Sequence, residues 1–358
     1  MITKILLPTD ENLNLAAEAL RRGELIAMPT ETVYGLAANA LNEQAVSNIF
    51  RAKGRPNDNP LIVHIAHAAD ANALCHVTAD AKLLMEMFWP GPLTLLLKKK
   101  PIIPAAVNAG LDTVAIRMPQ HTIARELIAR SGCPIAAPSA NLSGKPSPTS
   151  AEHVYDDFQG KIPYIIDGGT CAVGLESTVL HMAEKPYKIL RPGGVTLEAL
   201  REIFPDIALS GSLLSPLQKG ERAESPGMLY QHYSPDATVI LLKGKIPNIA
   251  AYYAERLHEA ENIGQHIRML CFAEHQKFFP AQTCVSIGSI QRREHFAKNL
   301  FRLLRTLDKE GVDIIYSEVS ELDGIGMAIM NRLMRAAAFQ VVDTDAVVLN
   351  ENKQKELS

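Results

Sequence analysis

Residues 53–65 read KGRPNDNPLIVHI, and the chain changes character within this stretch in a way that decides the fold. Two cations and a turn rich in Gly, Pro and Asn are followed by a short apolar run, Leu61–Ile65, which is typical of a buried strand. The preceding segment, Glu43–Arg51, has helical periodicity and is expected to end at Gly54 and Pro56. A helix, a basic turn and a buried strand in this order indicate an α/β protein.

Short apolar runs and helical patterns alternate in the same way on both sides of this stretch, over residues 1–205. The strand candidates are Leu25–Pro29, Leu61–Ile65, Leu93–Leu97, Thr113–Arg117, Ile135–Ala137, Tyr164–Asp167, Ser177–His181 and Lys188–Arg191. The helix candidates are Asn12–Arg22, Glu43–Arg51, Ala79–Phe88, Thr122–Ser131, Ala151–Phe158 and Leu197–Ile203. The spacing Thr149-x-x-Glu152 predicts a capping box at the start of the fifth helix. Because regular βαβ repetition is missing, we expect a twisted, mixed sheet with helices and not a doubly wound one.

The composition changes over residues 206–236, which are rich in Ser, Pro and Gly and are typical of a linker. Tyr230, His232 and Tyr233 give this segment more aromatic content than a passive tether needs. From residue 237 onward, strands and helices alternate again and predict a small parallel α/β domain. The sequence therefore predicts two domains, 1–205 and 237–350, joined by a linker.

Composition restricts the class of protein. At 358 residues the chain exceeds a comfortable single core, and its 36 Lys and Arg against 39 Asp and Glu lack the basic excess of a dedicated nucleic-acid binder. Five scattered cysteines without a C-x-x-C pair make disulfides and a zinc site unexpected. The chain turns polar after a few apolar residues, and no apolar run approaches the ~20 residues of a membrane span. We therefore expect a cytoplasmic protein with no membrane partner.

A second polar turn follows the strand candidate Ile135–Ala137 and contains Ser139 and Asn141, just as Lys53 and Arg55 lie in the first turn. Two cations, a hydroxyl and a carboxamide are groups that bind a polyanion such as a nucleoside triphosphate. Taken singly, the cations fit a solvated helix end and the second turn fits a helix cap. The hypothesis of a nucleotide site therefore depends on their joint occurrence.

Polar side chains also lie where apolar strands end. His64 and Arg117 each finish a strand candidate, and a charged group at such a position needs a partner or a ligand. For His64, a hydrogen-bonded core histidine is the commoner alternative, whereas the permanent charge of Arg117 is harder to bury. The segments PTETVYGL (29–36), GLEST (174–178) and RPGG (191–194) repeat the pattern of a polar turn beside an apolar strand.

Several familiar chemistries are missing from the sequence. It has no Walker A or dinucleotide fingerprint, no H-E-x-x-H, no metal-spaced His/Cys cluster and no G-x-S-x-G elbow. The glycine pair in Asp323–Gly326 follows no clean strand and is predicted to be a turn. Any nucleotide is therefore held in an unusual way.

Seven segments, in order, together resemble the YrdC-like domain: PTETVYGL (29–36), KGRPNDNPL (53–61), FWPGPLTLLL (88–97), VAIRMP (114–119), APSANLSGKPSPT (137–149), GLESTV (174–179) and ILRPGG (189–194). The linker SPGMLYQHYSP (225–235) and the α/β module after it resemble the two-domain threonylcarbamoyl-AMP synthases. The main departure is Gln231, where similar linkers often carry a basic residue.

The resemblance implies a nucleotidyltransferase that makes threonylcarbamoyl-adenylate from L-threonine, bicarbonate and ATP, with release of pyrophosphate and water. It implies an open sheet around a basic cavity in the first domain and a Rossmann-like second domain. The implied L-threonine site consists of Thr32, His64, Arg117, Ala137 and Ser177. The implied ATP site consists of Arg55, Asn59, Thr113, Ser139, Ser147 and Arg191, with Tyr233 added by the linker folding over the pocket. The implied catalytic constellation consists of Lys53, Arg55, Ser139 and Asn141.

The resemblance also implies the cofactor and the partners. ATP is a substrate that arrives with Mg²⁺, and no tightly bound, protein-ligated metal is expected. The product passes to a separate transferase that modifies the adenosine beside the anticodon, so tRNA is met only indirectly or weakly. Neither carbamate formation nor attack on the α-phosphate requires a protein nucleophile, and positioning with charge neutralisation by Lys53, Arg55 and Arg191 fits this chemistry.

Three other functions remain open at this stage. A basic concave sheet could dock RNA, although the even charge balance argues against it. A carbamoyl transferase of hydrogenase maturation uses a related domain, but it carries acylphosphatase-like and zinc-finger parts that this sequence lacks. A regulatory protein would bind ATP without releasing pyrophosphate.

Overall fold

The computed structural model of the chain describes residues 1–57, 59–211, 213 and 232–347. The chain divides into two compact units, Met1–Tyr230 and Gln231–Ser358. The sequence-derived boundaries of the domains and the linker stay predictions, and residues 212 and 214–231 of that linker, including Tyr230 and Gln231, lie outside the described residues. Within the described ranges, no helix is long and apolar enough to cross a membrane.

The first unit combines short strands with helices, as the sequence predicted. Its described strands are β1 (Lys4–Leu6), β2 (Ile26–Met28), β3 (Gly35–Asn39), β4 (Ile62–His64), β5 (Leu93–Lys98), β6 (Thr113–Arg117), β7 (Ile135–Ala136), β8 (Tyr164–Ile166), β9 (Thr178–His181), β10 (Lys188–Arg191) and β11 (Ala208–Leu209). Its described helices are α1 (Asp10–Arg21), α2 (Glu43–Lys53), α3 (Ala71–Leu74), α4 (Ala79–Phe88), α5 (Ala105–Asn108), α6 (Thr122–Ser131), α7 (Ala151–Phe158) and α8 (Leu197–Arg201).

The strands form one mixed sheet with the order β1-β8-β2-β3-β7-β4-β6-β5-β9-β10-β11. Parallel pairs such as β4 with β6 alternate with antiparallel pairs such as β5 with β6. The expected mixed α/β architecture is therefore confirmed. Four of the ten neighbouring pairs among the described strands join strands that are consecutive in the chain, and the other six bring residues from distant segments together on this sheet.

One face of the sheet is covered by helices along its length. Alternate residues of the strands pack with apolar residues of α2, α4, α7 and α8 in a single core, which includes Val46, Ile49, Val63, Leu84, Leu95, Leu97, Ile116, Val154, Phe158, Leu180, Ile189 and Leu200. Burying a side chain of this size contributes about 1.5–3 kcal/mol to stability. This core fixes the relative positions of the strands.

The other face is covered only in part. α1 and α6 pack over β2, β3, β7 and β8, where Leu20, Leu127 and Ile166 belong to a second core. Beyond them, β4, β5, β6, β9 and β10 contribute a separate small cluster, which consists of Ile62, Leu96, Ala115, Val179 and Leu190. No residue of a described helix belongs to this cluster. We call this part of the sheet, formed by β4, β5, β6, β9 and β10, the helix-free face.

A bulge in β10 adds a charged residue to the helix-free face. The register shifts between Ile189, which pairs with Leu180, and Arg191, which pairs with Val179. A bulge inserts one extra residue and changes which way the following side chain points. Arg191 therefore lies opposite Val179, a member of the small cluster, whereas Ile189 belongs to the core on the other face.

The second unit is a parallel α/β domain, as predicted. Its described strands are β12 (Thr238–Lys243), β13 (Ile267–Cys271), β14 (Cys284–Ser286), β15 (Ile314–Glu318) and β16 (Val341–Asp343). Its described helices are α9 (Ile246–Ile263), α10 (Arg293–Lys309) and α11 (Gly326–Ala336). The sheet order is β14-β13-β15-β12-β16, and each pair is parallel.

One local prediction was wrong and another was confirmed. The helix α7 is capped by Ser150, whose hydroxyl accepts from the backbone N–H of His153, and not by Thr149. The backbone N–H of Thr149 donates to Nδ1 of His153 at 3.2 Å, and Glu152 does not close a capping box. The predicted end of α2 at Gly54 is confirmed, since the helix runs to Lys53 and Gly54 adopts the left-handed conformation that caps it.

Replacement of Gly193 by alanine should destabilise the first unit. A Cβ at this position would lie 2.3 Å from the backbone nitrogen of Thr178 and 2.4 Å from the carbonyl oxygen of Glu176, so the backbone of β9 must move. We expect a loss of about 1–3 kcal/mol in the free energy of unfolding, in the range of overpacked sites. Fluorescence of Trp89, the chain's single tryptophan, monitors this unit during urea unfolding.

Gly211→Ala is the matched control, since a Cβ there would meet no described atom within 4 Å. Equal unfolding midpoints for the two variants would contradict the proposed steric origin.

Candidate active site

Charged and polar side chains border the apolar cluster on the helix-free face. His64 lies two residues after Ile62 in β4, and Arg117 lies two residues after Ala115 in β6, so each side chain points to the same face as its apolar neighbour. The parallel register pairs His64 with Arg117 directly. The sequence singled out both residues at strand ends, and the structure brings them side by side.

Arg117 forms a buried ion pair with Glu31. Its Nη2 lies 2.7 Å from Glu31 Oε1, its Nη1 donates to the hydroxyl of Thr32 at 2.9 Å, and the side chains of Arg117 and Glu31 are 3 % and 6 % exposed. Burial by itself would raise the pKa of Glu31, but the adjacent guanidinium outweighs burial and holds the pKa below its ordinary value. The ion pair and the hydrogen bond to Thr32 therefore hold the turn at residues 29–34 against the end of β6.

The imidazole of His64 is neutral. Complete burial, with a further contribution from the positive charge of Arg117, lowers the pKa of His64 to about 3. Its Nδ1 makes no hydrogen bond to any described residue. A neutral ring nitrogen in this position offers a bound molecule a hydrogen-bond partner without adding charge.

Arg191, Ser177 and Thr94 form a second polar group on the same face. Arg191 Nε donates to the carbonyl oxygen of Ser177 at 3.0 Å, and its Nη2 donates to Ser177 Oγ at 3.1 Å. Ser177 Oγ also lies 2.7 Å from Thr94 Oγ1. The bulge in β10 is what allows Arg191 to reach this hydroxyl pair.

Lys53 ties the basic turn to the loop after β7. Its Nζ donates to the carbonyl oxygens of Ser139, at 2.5 Å, and Asn141. The lysine occupies the last turn of α2, which starts at the cap Asn42 and ends at Gly54. The two turns that the sequence analysis singled out are therefore in direct contact, through a charge-assisted bond to the backbone.

Arg55 and Asn59 lie together at the start of β4. Arg55 Nη2 donates to the carbonyl oxygens of Asn59, at 3.2 Å, and Pro60, at 3.3 Å. Asn59 is 1 % exposed, yet neither atom of its side-chain amide makes a hydrogen bond to a described residue. Such an amide has an unmet hydrogen-bonding capacity that a ligand can fill.

The loop after β7 carries two further polar contacts. Ser147 Oγ donates to Glu176 Oε1 at 2.5 Å. Asn141 Nδ2 donates to the carbonyl oxygens of Leu142 and Lys145, and its Oδ1 has no described hydrogen-bond partner. The loop thus presents a hydroxyl and a carboxamide oxygen, and its hydroxyl contacts a buried carboxylate that precedes β9.

Three expected site residues lie outside these groups. Thr113 starts β6, four residues from Arg117 on the same strand, which corresponds to roughly 13 Å. Ala137 follows β7 and bonds through its N–H to the carbonyl oxygen of Ile62 at 3.0 Å. Tyr233 belongs to the second unit, where its ring centre lies 5.2 Å from that of Phe301.

Three site residues were not singled out from the sequence. Glu31 and Glu176 lie inside quoted segments, but an acidic residue in a Thr- or Gly-rich turn gives no signal of burial. Thr94 interrupts the apolar run of β5, which is the signal that identifies it in retrospect.

Burial raises the pKa of the Cys171 thiol to about 12, so this cysteine is not a ready nucleophile.

Two family models match the chain. The Sua5/YciO/YrdC model, described as "Telomere recombination", matches residues 18–193, and the model "Threonylcarbamoyl-AMP synthase, C-terminal domain" matches residues 195–338. Together they cover most of both units.

Named relatives and a solved structure match over nearly the full length. The threonylcarbamoyl-AMP synthase of Pyrococcus abyssi is 44% identical and matches 92% of this chain and 95% of its own length. The enzyme of the same name from Bacillus subtilis is 45% identical, over 95% and 97%. The structure of P. abyssi Sua5 complexed with L-threonine has a TM-score of 0.88 at 43% identity and covers 96% of this chain and 98% of its own. The chain therefore belongs to the threonylcarbamoyl-AMP synthase family.

Proposed function

We propose that the helix-free face and its bordering turns form the active site of a threonylcarbamoyl-AMP synthase. The enzyme makes an adenylate from L-threonine and ATP, and we infer that bicarbonate supplies the carbamoyl carbon, with release of pyrophosphate and water. Family membership supports the reaction. The observation that carries the location is the contact between the two turns, in which Lys53 bonds the backbone of Ser139 and Asn141 beside the polar groups of the sheet.

The threonine half of the site is assigned to Thr32, His64, Arg117, Ala137 and Ser177. The guanidinium of Arg117 is already neutralised by Glu31, so a bound carboxylate would add one negative charge to a balanced pair. The neutral ring of His64 can accept a hydrogen bond from the threonine amine or hydroxyl without repelling it. These residues orient threonine so that its amine can react with bicarbonate to give a carbamate.

The ATP half is assigned to Arg55, Asn59, Thr113, Ser139, Ser147 and Arg191. Arg55 is a fixed cation beside the unsatisfied amide of Asn59, and a guanidinium can grip phosphate oxygens bidentately. Lys53 donates hydrogen bonds to two carbonyl oxygens of the loop after β7. We therefore assign it to holding that loop in place and to neutralising negative charge there. Asn141 and Ser139 complete the constellation in that loop.

The residues present fit Mg²⁺ that is carried by the nucleotide. Across the part of the chain that the structure describes, no group of three or more His, Cys, Asp or Glu side chains could hold a metal ion. Mg²⁺ usually keeps several waters and binds through one or two carboxylates together with substrate phosphates. Glu176, whose carboxylate accepts from Ser147 in the loop assigned to ATP, would hold the ion, which when bound would neutralise phosphate charge.

This reaction needs positioning and charge neutralisation, and no step requires a protein nucleophile. The carbamate oxygen attacks the α-phosphate in line, the bond to the pyrophosphate oxygen breaks, and pyrophosphate leaves. Holding two reactants in such a geometry can supply on the order of 7–11 kcal/mol of the barrier. We further propose that the labile product passes to a separate transferase that acts on tRNA.

Pyrophosphate release tests the function. We expect release from ATP and Mg²⁺ only when both L-threonine and bicarbonate are present, because the carbamate is the nucleophile. The measurement is a coupled pyrophosphate assay with each component omitted in turn. ATP binding without release would instead identify a regulatory nucleotide-binding protein, and salt-sensitive RNA binding without ATP consumption would indicate an RNA-binding module.

Arg55→Ala should abolish adenylate formation while the fold is kept. Its guanidinium is the assigned phosphate ligand, and its loss removes charge-assisted bonds that are each worth about 1.5–3 kcal/mol. We expect at least about a tenfold drop in pyrophosphate release. Arg51→Ala, which removes an exposed arginine one turn earlier in α2, is the control and should keep full turnover. Unchanged turnover of Arg55→Ala would refute its assignment.

The neutral state of His64 predicts an acid-sensitive first unit. Because the pKa of His64 is about 3 in the folded protein and 6.5 ordinarily, unfolding takes up a proton between these values. The free energy of unfolding should therefore fall as the pH drops through this window, with this residue contributing up to about 1.4 kcal/mol per pH unit. His64→Gln should flatten that slope in urea unfolding followed by Trp89 fluorescence.

The exposed histidine His76 provides the control, since His76→Gln should leave the slope unchanged. The lowered pKa of Glu31 also makes the free energy of unfolding fall as the pH drops. Glu31 is present in both variants, so part of the slope remains in each. An identical slope in wild type and His64→Gln would show that His64 is not held neutral.

A further inference from the structure

The second unit contains a crevice that the reaction proposed above does not use. It has a volume of about 310 Å³ and lies between the carboxyl ends of β12 and β15. In the sheet order, the connection from β12 runs through α9 to β13 on one side, whereas the connection from β15 runs through α11 to β16 on the other. Adjacent parallel strands whose connections diverge in this way leave a crevice at their carboxyl ends, which is where open α/β sheets bind ligands.

Two buried polar side chains line this crevice without using all their hydrogen-bonding capacity. Glu318 ends β15 and is 3 % exposed, and Ser320 follows it at 7 %. Glu318 Oε1 and Ser320 Oγ make no hydrogen bond to any described residue. Buried polar atoms without partners are rare in folded proteins and indicate a site that a ligand or water completes.

The carboxylate of Glu318 is not balanced by a permanent cation. Its Oε2 lies 2.7 Å from Nδ1 of His275, and among the described residues no lysine or arginine forms an ion pair with it. Arg293 also lines the crevice, but it forms an ion pair with Asp323 at 2.5 Å. Burial raises the pKa of Glu318, which is the response expected of a carboxyl group without a counter-charge.

The amino end of α9 does not offer an anion site. The carboxylate of Asp345 already occupies it, accepting from the N–H of Lys245 at 2.9 Å and from Asn248 Nδ2 at 2.8 Å. The glycine that precedes this cap, Gly244, allows the close approach, since a Cβ there would lie 2.8 Å from Asp345 Oδ1. A phosphate or carboxylate at this helix end would meet a negative charge.

We propose that this crevice is a second ligand-binding site and that it takes a small organic ammonium ion. The ammonium donates to Glu318 Oε1 and Ser320 Oγ and supplies the missing positive charge. The apolar body of the ligand packs on Leu242, Ile249 and Phe272, which line the crevice and are buried. An ammonium has three donors and no acceptor, which suits a site whose unsatisfied atoms are acceptor oxygens.

Titration calorimetry on the full-length chain tests the proposal with n-butylammonium chloride, L-norleucine and 1-pentanol as probes. n-Butylammonium and L-norleucine both carry an ammonium group, and comparing them shows whether the site prefers a simple amine or an amino acid. 1-Pentanol has a similar size but no charge. We expect at least one ammonium probe to bind and 1-pentanol to bind at least about tenfold more weakly, because a bond to a charged group is lost. Equal binding of the alcohol would overturn the proposal, as would no binding of either ammonium probe.

Glu318→Gln identifies the site, since it removes the charge and keeps the shape. We expect about a tenfold or larger loss of ammonium binding in this variant and a smaller loss in Ser320→Ala. The matched control is Glu321→Gln, which alters an exposed carboxylate on the same crevice and should change binding less than about twofold. Binding elsewhere in the chain would persist in all three variants, so unchanged affinity in Glu318→Gln would overturn the assignment.

Two further readouts keep the test decisive. Far-UV circular dichroism of each variant checks that the second unit is folded, because pyrophosphate release reports on the first unit, and Ser320→Ala carries the test if Glu318→Gln fails to fold. Adenosine is the competing ligand class, because a carboxylate at the end of a strand also binds ribose hydroxyls. Adenosine binding that is lost in Glu318→Gln, without ammonium binding, would replace the ammonium proposal.

Discussion

The buried ion pair between Arg117 and Glu31 is the interaction on which the first unit's site depends. It joins the end of β6 to a turn that follows β2, two elements separated in the sheet by β3, β7 and β4. Removing one partner of such a pair leaves an uncompensated charge and typically costs 3–5 kcal/mol. Arg117 also positions Thr32, and its charge adds to burial in lowering the pKa of His64, whereas the charge of Glu31 acts in the opposite direction. Stability and the geometry of the proposed binding site therefore depend on the same two side chains.

The second constraint is the unequal covering of the sheet. α1 and α6 cover part of one face, and on the helix-free remainder alternate positions of five strands point to the side that carries the proposed active site. The alternation of side chains along a strand explains why His64 and Arg117 belong to this face while Val63 and Ile116 pack in the core on the other side. A bulge then adds Arg191. The arrangement requires no strained catalytic turn, because strand geometry itself aims the polar groups.

Much of this arrangement could be predicted from the sequence, and the exceptions have physical reasons. Strands with apolar or β-branched runs, such as Thr113–Arg117, were predicted with their bounds, whereas β3, with the sequence GLAAN, was missed because small residues have little strand preference. His64 and Arg117 were identified because polar residues at the ends of apolar runs are conspicuous. The partner Glu31 was missed because its ion pair with Arg117 joins segments that are far apart in the sequence. The hydrogen bond from Arg117 to Thr32 likewise spans 85 residues. Long-range pairing of this kind is set by sheet order, which local patterns do not encode.

The two buried glutamates of this chain make an instructive contrast. Both are nearly inaccessible, and both lie beside polar side chains at strand ends. Glu31 is balanced by Arg117 within the protein, and its pKa is held low, whereas Glu318 has His275 beside it and its pKa is raised. A carboxylate that is neutralised internally serves the architecture of a site, while one that keeps an unsatisfied oxygen in a crevice is arranged for a charge that arrives from outside. By this criterion the second unit is a binding domain in its own right, and its sheet supplies more than a support for the linker.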